Sequence, residues 1–287
     1  MERLFVAGFA LLLAVSFAQA KQRPPTFDEN FSVMWADDHV QTTGENGSLV
    51  QLMLDRNSGS AFSTIKKYLF GFISMNLKLV PGDSAGVVTA YYLSSETDNR
   101  DELDFEFLGN RSGQPYTLQT NVYSNGKGER EQRLMLWFDP SQDFHAYSFL
   151  WNKHHIVFYV DKTPVRVHRL TSATQDVFLS KQPMRLISSI WNADGWATRG
   201  GKEKIDWSGA PFVASYAEFT VDGCDEGDAA CLANTSSPWW DRPSSWELSV
   251  QEEQALGVVR SKFLIYDYCL DTNRNPSPPT ECSVNPK

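Results

Sequence analysis

The sequence predicts an all-β fold, a sandwich or jelly roll. Three observations carry that prediction. Between about residues 25 and 222, apolar or alternating runs of five to ten residues recur. Turn-forming residues separate them, and stretches with helical periodicity are few. Aromatics make up 13% of the 287 residues, with nine Trp, a composition that suits both pleated sheet and a surface for sugars.

The chain opens MERLFVAGFALLLAVSFAQA, an apolar run behind a single Arg3 that closes on the small-x-small pattern Ala18-Gln19-Ala20. We read residues 1–20 as a secretory signal peptide cleaved after Ala20; the run is short for a membrane span. The mature chain is expected to be soluble and exported. Loss of Glu2 and Arg3 leaves the formal charge at −9. An acidic chain without a basic cluster is poorly suited to nucleic acid or anionic membrane, and a neutral substrate fits better.

Residues 21–222 form the main domain. Strands are expected at 48–54, 70–79, 86–93, 104–108, 117–123, 133–138, 145–151, 155–160, 184–191 and 214–221. Pro81-Gly82-Asp83, Asn125-Gly126 and Asp161-Lys162 supply turns, and Asn125-Gly126 predicts a hairpin joining 117–123 to 133–138. Residues 223–287 read as an extension of that domain. Residues 235–245 are rich in Ser, Pro and Trp and look irregular. Ser249 and Glu252 form a capping-box pattern that starts a helix running to about residue 259, and 263–268 reads as a strand.

All four cysteines lie in this tail: Cys224, Cys231, Cys269 and Cys282. An even count in an exported chain points to two disulfides, with three possible connectivities. Pairing neighbours, Cys224–Cys231 and Cys269–Cys282, closes two short loops and is preferred. A zinc site fits poorly, because close cysteine pairs and histidines are lacking there. Glycosylation triplets occur at Asn30, Asn46, Asn110 and Asn234; Asn110 is favoured because Gly109 sets it at the end of a strand.

The segment 101–110, DELDFEFLGN, is the most informative. Alternation along a strand puts Glu102, Asp104 and Glu106 on one face and Leu103, Phe105 and Phe107 on the other, in the core. Like charges this close on one face destabilise a sheet, so something must offset them. Glycoside hydrolysis uses such a pair, one carboxylate as nucleophile and one carboxylic acid as proton donor, about 5–5.5 Å apart in retaining enzymes. Residues i and i+4 on a flat strand stand about 13 Å apart, so the strand must curve. The same acids also fit a Ca²⁺ site, an ordinary solvated strand face, or sugar binding without cleavage.

DELDFEFLGN with its Asn110 triplet resembles the active-site strand of the plant xyloglucan endotransglucosylase/hydrolases, in family 16 of the glycoside hydrolases. Segments 68–95, 113–133 and 191–212 and the four-cysteine tail resemble the same family, so the likeness covers essentially the whole mature chain. It implies a curved β-jelly-roll sandwich, concanavalin-like, with a short helix-plus-strand extension stapled by two disulfides. It implies Glu102 as nucleophile, Glu106 as general acid/base and Asp104 as the assisting aspartate. The family often has His before the Asp-Glu pair, where this chain has Arg100; the departure lies outside the acid triplet and can tune the site.

The resemblance also implies a substrate-binding set. Gln119, Thr120 and Asn121 would offer polar groups to sugar hydroxyls. Glu129, Arg130 and Glu131 follow the hairpin turn, and Tyr92 is a further contact. Trp191 and Trp196, with Ala197 and Gly201 beyond them, would flank the cleavage point, and Arg274 would serve the acceptor side. Asn110 would carry a glycan. No metal or organic cofactor is expected. The implied partners are a xyloglucan polymer donor and a xyloglucan or oligosaccharide acceptor. The implied state is a secreted monomer of the cell wall or apoplast. A hydrolase on the same scaffold, or a secreted glucan-binding protein without turnover, are the alternatives.

Overall fold

In a computed structural model, described over residues 26–233 and 238–284, fifteen strands form two antiparallel sheets. The expected signal peptide and the triplet at Asn234 lie outside the described residues. The strands are β1 (Phe31–Trp35), β2 (Val40–Thr43), β3 (Leu49–Leu54), β4 (Ser60–Thr64), β5 (Tyr68–Lys78), β6 (Val87–Ser94), β7 (Glu102–Leu108) and β8 (Thr117–Tyr123). Then come β9 (Gln132–Met135), β10 (His145–Trp151), β11 (His155–Val160), β12 (Thr163–Arg169), β13 (Arg185–Asn192), β14 (Phe212–Asp225) and β15 (Leu264–Asp267). One sheet runs β1-β4-β13-β6-β7-β8-β9-β15, and the other runs β12-β11-β10-β5-β14-β3-β2.

All the expected strands are present, with ends shifted by a few residues. Four were not expected: β1, β2, β4 and β12. Three of these are edge strands, which pair on one side only and tolerate polar residues. Thus β2 reads VQTT, and β12 carries Pro164 and Arg166. The fourth, β4, reads SAFST; it is buried throughout, yet its hydroxyls hide the apolar signal.

The core between the sheets fixes β7. Leu103, Phe105 and Phe107 are fully buried. The Phe105 ring lies 4.9 Å from Phe149 and 5.3 Å from Phe158, both on the opposite sheet, and Phe107 meets Tyr147 edge-on at 4.7 Å. Slipping β7 by one residue would drive its acids into these rings, so the aromatic face sets the register of the acidic one.

The hairpin at Asn125-Gly126 forms as expected. Both residues have positive φ, 51° and 78°, which the turn requires and which Asn and Gly tolerate. It leads from β8 into β9, and the two strands pair antiparallel.

The tail is joined closely to the sandwich. A helix, α1 (Val250–Lys262, the longest among the described residues), starts at the Ser249–Glu252 capping box. Tyr159 donates to Glu252 at 3.0 Å, and Arg169 pairs with Glu253, which ties the helix to β11 and β12. Strand β15 then pairs with β9 and becomes the edge of the sheet that carries β7. The disulfides join Cys224 to Cys231 and Cys269 to Cys282, with Cα separations of 5.4 and 5.5 Å. Strand β14 runs through the expected boundary at residue 222.

Beside the second disulfide, Glu281 reaches Arg130 at 2.7 Å, with side chains 4% and 10% exposed. Arg130 also donates to the carbonyls of Lys127 and Gly128, at 2.6 and 3.2 Å, so this one guanidinium ties the hairpin to the tail. Removing one partner of a buried pair strands the other charge, at a cost of about 3–5 kcal/mol. Glu281→Ala is therefore expected to lower the melting temperature by on the order of 10 °C. A melting curve within about 2 °C of the parent would show that water already screens the pair.

Candidate active site

Glu102, Asp104 and Glu106 line a cleft of about 470 Å³ on the outward face of the eight-stranded sheet. Tyr92 pairs in register with Asp104 from one side and Asn121 from the other, and both line the cleft. Trp191 and Ser189 join from β13. Trp35, 43% exposed, enters from β1 at the sheet edge. Four strand spacings separate β1 from β7, about 19 Å in a flat sheet, so the sheet must curl for one cleft to reach both.

Electrostatics separate the three acids. Asp104 is buried, and burial pushes its pKa well above the usual range. Glu102 and Glu106 push the same way, while Arg100 and Arg166 oppose them. Glu106 is also raised, chiefly by burial. Gln119 pulls it back by donating Nε2–H to Glu106 Oε2 at 2.6 Å. Glu102 takes a different partner: Arg100 Nε donates to its Oε2 at 2.9 Å. One face thus sets an acid paired with a guanidinium beside two acids biased toward holding protons, Asp104 buried and Glu106 half-buried, an arrangement that suits an acid-and-nucleophile pair.

The strand β8 corrects one expectation. Thr120 pairs in register with Phe105 and so faces the core; it is fully buried and its hydroxyl accepts from Arg166 at 3.1 Å. It offers nothing to the cleft. Gln119 does sit on the acid side, but its amide is engaged at both ends. Arg133 Nε donates to its Oε1 at 2.7 Å, which turns the amide nitrogen toward Glu106. Gln119 therefore orients the acid. Asn121 accepts from Arg130 N at 3.0 Å while lining the cleft. Tyr123, not expected from the sequence, lies directly opposite Glu102 and completes that face.

Arg130 is a further correction: it is 9% exposed, turned inward to Glu281, and does not line the cleft. Arg274 donates to both carboxylate oxygens of Glu131, at 2.6 and 3.4 Å, with Glu129 at 3.7 Å. This cluster adjoins β7 closely enough for Glu131 to raise the pKa of Glu106.

Trp196 lies 6.0 Å from Trp191, ring to ring, and extends the aromatic surface beyond the cleft. Ala197 is buried with Val88, Leu108 and Ala193 in a small cluster on which both indoles pack, so it supports the platform from within. Gly201 has φ +80°, and a Cβ there would come within 2.4 Å of the Gly195 carbonyl; it shapes the loop and makes no part of the cleft wall. Asn110, just beyond β7, donates its amide to the Pro115 carbonyl at 3.0 Å.

Residues 27–209 match the family described as glycosyl hydrolases family 16, and residues 234–282 match that described as xyloglucan endo-transglycosylase (XET) C-terminus. The chain is similar to the probable xyloglucan endotransglucosylase/hydrolase protein 8 of Arabidopsis thaliana, 50% identical over 293 residues, covering 100% of this chain and 95% of that one. It is similar to xyloglucan endotransglucosylase protein 34 of Populus tremula x Populus tremuloides, 49% identical over 278 residues, covering 96% and 94%. Among solved structures, a prokaryotic beta-1,3-1,4-glucanase (lichenase) from a mouse hindgut metagenome superposes with a TM-score of 0.53. It is 25% identical and covers 68% of this chain and 87% of that one.

Proposed function

This chain belongs to the xyloglucan endotransglucosylase/hydrolases of glycoside hydrolase family 16, and from that premise we propose that it is a retaining xyloglucan endotransglucosylase of the plant cell wall. The observation that carries the reading is the acid triplet on one face of β7, opening into one cleft, with Glu102 held by Arg100 and Glu106 held by Gln119. A binding protein has no use for three mutually repelling carboxyls, two of them with raised pKa.

In this mechanism Glu102 attacks the anomeric carbon of a backbone glucose, and Glu106 protonates the departing oxygen. A covalent glycosyl-enzyme forms. The 4-hydroxyl of an acceptor chain then attacks the same carbon, with Glu106 as base, and the chain is re-ligated. Water in place of the acceptor gives hydrolysis. Transfer requires the acceptor to outcompete water at ~55 M, so it must be held in place before it reacts. Trp191 and Trp196 supply flat apolar faces for this, and the Arg274–Glu131–Glu129 cluster supplies a polar rim. Buried Asp104, biased to its neutral form, keeps a third negative charge from building up beside the pair.

The donor and acceptor are xyloglucan chains or their oligosaccharides, the protein is secreted to the cell wall and acts as a monomer. Asn110 is its glycan site: a substituted amide keeps one N–H, so the bond to Pro115 can persist.

The test uses xyloglucan polymer and a fluorescent xyloglucan oligosaccharide. Label is expected to enter the polymer fraction with little gain in reducing ends. Reducing ends without label would mean a hydrolase, and binding without either would mean a glucan-binding protein.

A further inference from the structure

Arg100 is fixed at three points. Its Nε donates to Glu102 Oε2 at 2.9 Å, and its guanidinium carbon lies 4.7 Å from the Tyr123 ring centre. Its carbonyl accepts from Gly126 N at 2.8 Å. The next residue is held as well: Asp101 N donates to Ser95 Oγ at 3.0 Å, and Asn125 N donates to Asp101 Oδ1 at 3.0 Å. The hairpin turn after β8 thus clamps the residues that precede Glu102. Among the described residues, Glu102 is the one carboxylate within ion-pair distance of Arg100. The two side chains are 39% and 12% exposed, so the pair is partly shielded from water and less screened than one on the open surface.

We propose that Arg100 is a positioning residue for the release of Glu102 from the covalent intermediate. It holds Oε2, which leaves Oε1 to bond the sugar, and it neutralises the carboxylate as that bond breaks. The inference rests on the reading of Glu102 as nucleophile. In the second half-reaction the acceptor oxygen bonds to the anomeric carbon and its proton passes to Glu106. The bond from that carbon to Oε1 breaks, and its electron pair returns to the Glu102 carboxylate. A cation already seated on Oε2 stabilises the charge that develops there, and no reorganisation is needed at that moment. The same cation draws density from the attacking carboxylate in the first half, so it favours release over attack. An arginine keeps this charge at every working pH, whereas a histidine in its place would lose it above about pH 6.5.

The experiment compares the full secreted protein with Arg100→Gln, Arg100→Met and Arg100→Lys, under steady-state turnover of a xyloglucan oligosaccharide. Acid-quenched samples are weighed intact and the adduct is mapped by peptide mass. Loss of a charge-assisted contact made in the transition state is expected to lower kcat about 10-fold or more in the two neutral variants. Donor KM should fall with it, because the intermediate accumulates, and the fraction of enzyme carrying sugar on Glu102 should rise. Arg100→Lys should restore most of kcat. A purely structural role would lower kcat/KM without more adduct. Both neutral variants are made so that one failing to fold leaves the other to decide. Adduct on the parent at Glu102 with no increase in the neutral variants overturns the role of Arg100 alone. A lysine variant that behaves like the neutral ones overturns it too. No adduct at Glu102 even in the parent removes the double-displacement reading and the inference together.

Discussion

Glu102→Ala is expected to reduce transfer by on the order of 10⁴–10⁶-fold, the range seen when a covalent nucleophile is deleted from an otherwise intact site. The folded protein should survive the change. Glu102 sits beside Asp104 and Glu106, and its charge is among the causes that raise both of their pKa values. Deleting it relieves repulsion on that face, and Arg100, 39% exposed, can turn to solvent. The melting temperature is therefore expected to match or exceed that of the parent, as happens where function and stability oppose one another. Added azide should enter the vacated space and attack the anomeric carbon in a single displacement. With a donor carrying a good leaving group, the product is a glycosyl azide of inverted configuration, identified by NMR. Retained transfer in the purified variant would remove Glu102 from the mechanism. A lost activity accompanied by a collapsed melting curve would show that the acid serves the fold.

How far the sequence carried the site depends on which rule was available. Alternation on β7 is decisive, because every second residue is a large apolar one and the other three are acids; both faces announce themselves. The same rule applied to 117–123 places Gln119, Asn121 and Tyr123 with the acids and sends Thr120 to the core, as the register shows. The resemblance named three consecutive residues, and consecutive residues on a strand cannot share a face. Arg130 was misplaced for another reason. Its partner Glu281 is 151 residues away, brought near by a tail whose path no local pattern encodes. Trp35 was missed because β1 is a short edge strand with a register shift between Val33 and Trp35, so its alternation is broken where the indole turns into the cleft. The tail helix and both disulfides were legible because capping residues and cysteines act locally.

Glu106→Gln is expected to separate the two halves of the proposed reaction, and the pH profile to show why. Glu106 must begin protonated to serve the departing oxygen. Burial raises its pKa, the Gln119 hydrogen bond pulls it back, Glu102 and Glu131 raise it further, and Arg133 opposes them. Because the folded value is raised, the proton is present below it and is lost as pH rises through it. The alkaline limb of activity is therefore expected above the range of an ordinary glutamic acid. It belongs jointly to Glu106 and Asp104, two interacting groups on one face. Replacing Glu106 with Gln keeps the shape and the Gln119 contact surface but removes the transferable proton, with an expected loss of about 10²–10⁴-fold on xyloglucan. A donor with an aryl leaving group needs no proton from the enzyme. With it the first half should recover, and sugar should accumulate on Glu102 because no base remains to activate the acceptor. The alkaline limb should vanish from that first half. Azide, which needs no base, should then discharge the intermediate with retained configuration, opposite to its outcome in the Glu102 variant. If the aryl donor is cleaved no faster than xyloglucan, or the alkaline limb stays where it was, the proton donor is another residue, and buried Asp104 is the next to test.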